Sequence, residues 1–151
     1  MKILLATDGA KQSDAAIDSL KRMLFSEGDE VKIVNIVDMA LPMSIDIYGG
    51  YLPDTTELEK TAREHAAKIL EQTAAKLNEF ANNQGVSITT EMLFGSPESR
   101  IVETAEAWMA DLVIVGSHGY SRWERLLLGS VSDSVVHHAP CSVLVVRVPP
   151  E

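Results

Sequence analysis

Short apolar runs alternate along this chain with segments whose apolar residues recur every three or four positions, and that alternation limits the fold more than any other feature. Residues 2–7 (KILLAT), 31–37 (VKIVNIV), 86–93, 112–115 (LVIV) and 141–148 read as five strands. Helical spacing between them predicts four helices. The first runs from Ser13 to about Glu27, with Ala16, Ile17, Leu20, Met23 and Leu24 on one face. The second starts near Asp54 to Thr56, with Glu57 and Glu59 placed as capping partners, and continues to about Asn82 on a stripe that includes Ala66, Ile69, Leu70 and Leu77. Gly85 stops it. Ser96 as N-cap and Pro97 at the first helical position open the third, which carries Ile101, Val102, Ala105 and Trp108. The fourth opens at Ser130. Such alternation builds an open five-stranded parallel sheet with helices on both faces. The order 3-2-1-4-5 is the simplest that puts a switch point at the ends of the first and fourth strands, where open α/β sheets bind ligands. A chain of 151 residues is read as one domain, 1–151.

The richest stretch runs from Asp111 to Arg147. Its strand ends at Gly116, two residues separate Gly116 from Gly119, and nine separate Gly119 from Gly129, which is followed at once by Ser130 and a helical pattern. Glycines leave no Cβ in the way of converging backbone N–H groups, and a helix start carries N–H groups without intrahelical partners together with the positive end of the dipole. A strand, a glycine loop and a helix N-terminus in that order suit phosphate. Each part also has a plainer account: Gly116 as a strand end, and Ser130 with Asp133 as a capping box. The spacing is neither the dinucleotide G-x-G-x-x-G nor the G-x-x-x-x-G-K-[ST] P-loop.

The pattern G-x-x-G, nine residues, G-S, then a Val-Ser helix start and His138-Ala139-Pro140-Cys141 before a Val-rich strand, closely resembles the universal stress proteins in their ATP-binding branch. Thr7, Asp8 and Gly9 match that family's first strand, which ends in Asp-Gly, and the resemblance extends over nearly the whole chain. It implies a Rossmann-like sheet of the adenine nucleotide alpha hydrolase-like kind, with the order already given. It implies that Asp8 contacts adenosine, that Ile36 holds adenine, and that Gly116, Gly119, Gly129, Ser130, Val131 and Ser132 hold ribose and phosphates. The ligand so implied is ATP, or ADP or AMP, with Mg2+. A homodimer through the last strand, Val143 to Val148, is implied as well; in the order 3-2-1-4-5 that strand is an edge too apolar to stand unpaired in water.

The net charge of -9 argues against a nucleic-acid partner, which needs a basic face, but leaves room for a local anion site built from backbone N–H groups. Cys141 is the only cysteine, so neither an internal disulfide nor a Cys-rich metal site is available, as suits a cytoplasmic protein. The first apolar run is too short for a signal peptide, and no stretch approaches a membrane span.

Several residues carry two readings. Asp8 suits ribose hydroxyls or the adenine amino group, or simply forms an Asp-Gly turn. His118 can reach a phosphate or stand solvated in its loop, and Arg122 and Arg125 serve equally as phosphate cations or surface residues. His137 and His138 fit a helix C-terminus, and Trp108 and Trp123 fit packing. The stretch from Asp38 to Pro53 reads as a long loop in which Met39, Met43, Ile45, Ile47, Tyr48 and Tyr51 form a lid over adenine or a partner surface. The leading function is a dimeric ATP-binding sensor or regulator without dedicated catalysis. A slow ATPase is the alternative, although the sequence has no phosphate-loop lysine and Glu124, beside two arginines, reads as readily as a surface ion pair as a base. A flavodoxin-like electron carrier and a nucleotide-free dimeric interaction protein remain as further readings.

Overall fold

The computed structural model describes residues 1–23, 25–38, 55–117 and 128–147. Gly119, His118, Arg122, Trp123, Glu124, Arg125, Leu24, Val148 and the 39–53 part of the long loop lie outside the described residues. In chain order the elements are β1 (Lys2–Ala6), α1 (Lys11–Lys21), β2 (Glu30–Val37), α2 (Thr55–Asn82), β3 (Ser87–Phe94), α3 (Pro97–Trp108), β4 (Leu112–Gly116), α4 (Ser130–His138) and β5 (Ser142–Val146). The strands form one parallel sheet in the order β3-β2-β1-β4-β5.

Side chains alternate between the two faces of a strand, so each central strand contributes to two cores. Ile3 and Leu5 of β1 pack with Ile33 and Ile114 under α1 and α2, where Ile17, Leu20, Leu70 and Leu77 complete the layer. Leu4 points the other way and joins Val34, Val113 and Val115 beneath Ile101, Ala105 and Val135 of α3 and α4. Burying each such aliphatic side chain contributes about 1.5–3 kcal/mol, so the near-continuous apolar runs of β1 and β4 make them the centre of the sheet. The chain moves outward from β1 to β2 and β3, then returns to lay β4 on the other side of β1, in register Ile3 with Leu112 and Leu5 with Ile114. That reversal opens a crevice between the C-terminal ends of β1 and β4.

Helix α1 spans Lys11–Lys21, short of the expected end near Glu27. Arg22 and Met23 close it with short-range bonds to Ser19 and Leu20, and the Asp29 carboxylate accepts from the Ser26 amide across a turn in which Gly28 has φ +89°. Beside that turn Phe25 lies edge-on to Phe80 of α2, ring centres 5.8 Å apart. Strand β3 runs one residue later than expected and β5 ends at Val146, small shifts of the kind usual at element ends. Helix α2 ends in a Schellman turn at Gly85, whose φ is +68°. Helix α3 ends the same way at Met109, with φ 55° in a residue that carries a side chain.

Candidate functional site

Strand β1 runs out at Ala6, and the next residues form a tight hydrogen-bonded turn. The Thr7 amide donates to the Val34 carbonyl (3.0 Å), and the buried Asn35 side chain donates to the Thr7 carbonyl (2.8 Å), fastening the turn to β2. Asp8 Oδ1 accepts from the Ala10 amide (2.9 Å) and the Ser13 hydroxyl (2.8 Å), while Ser13 Oγ accepts from the Asp8 amide (3.2 Å). Gly9 follows with φ +77°. The Asp-Gly turn and the carboxylate in the cleft are therefore one feature: Asp8 shapes the turn and stands at the sheet edge.

Beside this turn lies a cleft of about 260 Å³ lined by Asp8 and Ser13, Ile36 of β2, Pro97 and Ile101 of α3, Val115 and Gly116 of β4, and Val131 of α4. Asp8, Ile36, Gly116 and Val131 are thus brought together from four separate parts of the chain. Gly129 is the N-cap of α4, with φ -64° and ψ 158°, and no side chain caps the helix. The capping box of Ser130 with Asp133 does not form. Ser130 is exposed, whereas Ser132 is 2% exposed and its hydroxyl donates to the Gly129 carbonyl (3.0 Å), so its proton is engaged within the first turn. What α4 offers a ligand is its uncapped backbone N–H groups and the exposed Ser130.

Pro97, Ile101, Val115 and Ser13 also line the cleft, and sequence reasoning did not assign them to it. Ser96 and Pro97 do open α3 as expected, but only the packing of α3 across β2 and beside α4 turns that helix start toward the crevice. At the same helix start the Glu98 carboxyl is held below its ordinary value by its own backbone N–H and then by the Ser96 hydroxyl, with burial opposing them. At the other end of α4, His137 Nδ1 lies 2.8 Å from the Asp133 carbonyl and His138 Nδ1 2.8 Å from the Ser134 carbonyl. A carbonyl can only accept, so in this arrangement each Nδ1 donates to the carbonyl four residues earlier, while the helix is capped by the Ala139 N–H on the Val135 carbonyl. Trp108 is half-buried in the α3/α4 core, with Lys32 Nζ 5.1 Å from its ring centre. Among the described residues no group of three or more His, Cys, Asp or Glu side chains is placed to hold a metal ion, and no helix is long and apolar enough to cross a membrane.

An open parallel α/β sheet with an apolar crevice at its switch point and an uncapped helix N-terminus beside it defines a Rossmann-like class of fold. Within that class the chain belongs to the universal stress protein family, which matches residues 1–147. It is 37% identical over 151 residues to a universal stress protein of Methanocaldococcus jannaschii, an alignment covering 98% of this chain and 82% of the relative. Among solved structures, an Arabidopsis thaliana member of the family with AMP bound superposes with a TM-score of 0.70 at 17% identity, covering 99% of this chain and 92% of that one. A universal stress protein in complex with cAMP does so with a TM-score of 0.67 at 21% identity, covering 99% and 98%.

Proposed function

We propose that this chain is an adenine-nucleotide-binding member of its family, of the ATP-binding branch, acting in the cytoplasm as a dimeric sensor or regulator. The carrying observation is the apolar cleft of about 260 Å³ at the switch point, with the Asp8 carboxylate on one wall and α4 on another. Ile36, Ile101, Val115 and Val131 offer apolar walls of the kind a purine prefers. Asp8, an acceptor, suits ribose hydroxyls or the adenine amino group and is poorly suited to direct phosphate contact. The phosphates then fall to Gly116, Gly119 and Gly129 and to the first N–H groups of α4 at Ser130, Val131 and Ser132. ATP, ADP and AMP share this chemistry, and the AMP and cAMP bound by the two structural neighbours support the class. Mg2+ would be held through phosphate oxygens and water rather than by a carboxylate cluster.

The test is to denature the purified protein, identify any released nucleotide by chromatography, and titrate ATP with magnesium into wild type and Gly129→Val. ATP bound by wild type and lost by a folded Gly129→Val supports the reading. Absence of carried nucleotide and of binding to added ATP removes it.

The dimer part rests on a contrast between the sheet edges. Edge strand β3 exposes Ser87, Thr89, Thr90 and Glu91, whereas edge strand β5 presents Val143, Leu144 and Val145 half-buried. A polar edge discourages pairing and an apolar one invites it. The Val146 carbonyl accepts from Ser117 on the β4 side, so alternation turns the Val145 N–H outward. Val145→Pro should therefore give a folded monomer in sedimentation, and a persisting dimer would remove the β5 pairing.

A further inference from the structure

The Asp8–Gly9 turn has two sides, and the nucleotide reading uses one. On the other, between the start of α1 and the middle of α2, lies a second cavity of about 390 Å³. Its floor includes three hydroxyls in residues that are almost wholly buried: Thr7 at 5% exposure, Ser13 at 3% and Thr73 at 5%. Two of them are engaged. Thr7 Oγ1 accepts from the Gly9 amide, and Ser13 Oγ is bonded to Asp8 in both directions. Thr73 differs. Its hydroxyl has no hydrogen-bond partner among the described residues, and the residue is part of the cavity lining. A buried hydroxyl without a partner is costly, and native structures supply one.

The charges around the rim indicate what that partner is. His65, Lys68, Gln72 and Lys76 follow one face of α2 and all line the cavity. Lys76 is paired with Asp14, whereas Lys68 has no ion-pair partner among the described residues. Asp8, the other carboxylate in the lining, already accepts from Ala10 and Ser13. The opposite wall is the N-terminus of the 11-residue helix α1, whose N-cap, Ala10, offers no side-chain cap. In a chain of net charge -9 the lysines of this lining balance its two carboxylates, and Lys68 and the Thr73 hydroxyl, each without a partner among the described residues, meet there beside the positive end of a helix.

The geometry points to a second binding site in this α1/α2 cavity, for a tetrahedral phosphate group, either inorganic phosphate or a small phosphate monoester. Lys68 supplies charge and Thr73 a hydroxyl donor, and of the α1 first turn the Lys11 and Gln12 amides remain to donate, since those of Ser13 and Asp14 go to the Ala10 carbonyl and that of Ala10 to Asp8. The site shares the Thr7–Asp8–Ser13 wall with the switch-point cleft but none of its apolar side chains, so the inference does not depend on the nucleotide reading.

The experiment follows amide chemical shifts of the intact protein during titration with inorganic phosphate and, separately, with glycerol 3-phosphate, each against sodium chloride at matched ionic strength. Saturable shifts should appear between Ala10 and Asp14 and between His65 and Lys76, with Val115, Gly116 and Val131 unmoved. The tighter of the two probes tells whether the site takes the free anion or the ester. Lys68→Ala and Thr73→Val should each weaken binding on the order of tenfold, and Thr73→Ser should restore it. No saturable shift beyond the chloride control, shifts confined to the switch-point cleft, or unchanged affinity in both Lys68→Ala and Thr73→Val would overturn the assignment. ATP titration monitored at Val115 and Val131 reads the other cleft separately.

Discussion

Replacing Gly9 by alanine tests how tightly the Asp8 turn is held against the helix behind it. At φ +77°, a Cβ on Gly9 would lie 2.9 Å from Ile69 Cγ1 and 3.0 Å from its Cδ1, inside the 3.5–4.0 Å of ordinary carbon contacts. Ile69 is 8% exposed on α2 and cannot simply swing into solvent. Gly28 is the matched control, since its φ is +89° and a Cβ there would meet nothing within 4 Å. Both substitutions incur the left-handed backbone penalty of about 1–2 kcal/mol, partly offset by the smaller unfolded-state entropy of alanine at about 0.4–1 kcal/mol. Gly28→Ala should therefore cost about 1 kcal/mol. Gly9→Ala adds an overpacking term of about 1–3 kcal/mol, for a total of about 2–4 kcal/mol. With a urea slope near 2 kcal/mol/M, the unfolding midpoint of Gly9→Ala should fall on the order of 1 M below that of Gly28→Ala. Combining Gly9→Ala with Ile69→Ala should cost less than the sum of the two alone, because the second change removes the clash. Equal midpoints for the two glycine variants, or strict additivity in the double variant, would refute the wedging of this turn against α2.

Three further outcomes follow from local geometry. Met109 closes α3 with φ 55° and 73% exposure, so Met109→Gly should relieve the left-handed strain without loss of packing and raise stability by about 1 kcal/mol in urea unfolding. Glu98 is depressed below its ordinary 4.5, so its contribution is fully present above that value and is lost as pH falls through the lower folded value; Glu98→Gln should flatten the acid limb of the stability–pH curve below about pH 4.5. Burial raises the Cys141 thiol, with the Asp111 charge adding to it, so alkylation by iodoacetamide at neutral pH should be slower than for a free thiol and should accelerate in Asp111→Asn.

The sequence and the structure divide the work along a physical line. Strands and helices follow from local pattern, because side-chain direction repeats every two residues in one and every 3.6 in the other. Five strands, four helices, the Ser96–Pro97 start and the Gly85 stop are therefore legible without coordinates. So is the glycine spacing that ties the chain to its family. The largest misjudged bound, the end of α1, lies just before a contact between Phe25 and Phe80, fifty-five positions apart, which no local period carries. The cleft shows the same limit. Asp8, Ile36, Gly116 and Val131 could be named from motif and topology, but the turning of Pro97 and Ile101 into their company depends on how α3 packs. That Ser132 uses its hydroxyl proton on Gly129 at 3.0 Å, and that Thr73 lines a cavity with no hydrogen-bond partner among the described residues, depend on contacts that spacing in the chain does not signal. Periodicity and glycine chemistry belong to the chain alone; which buried polar groups find partners is decided only when the layers close.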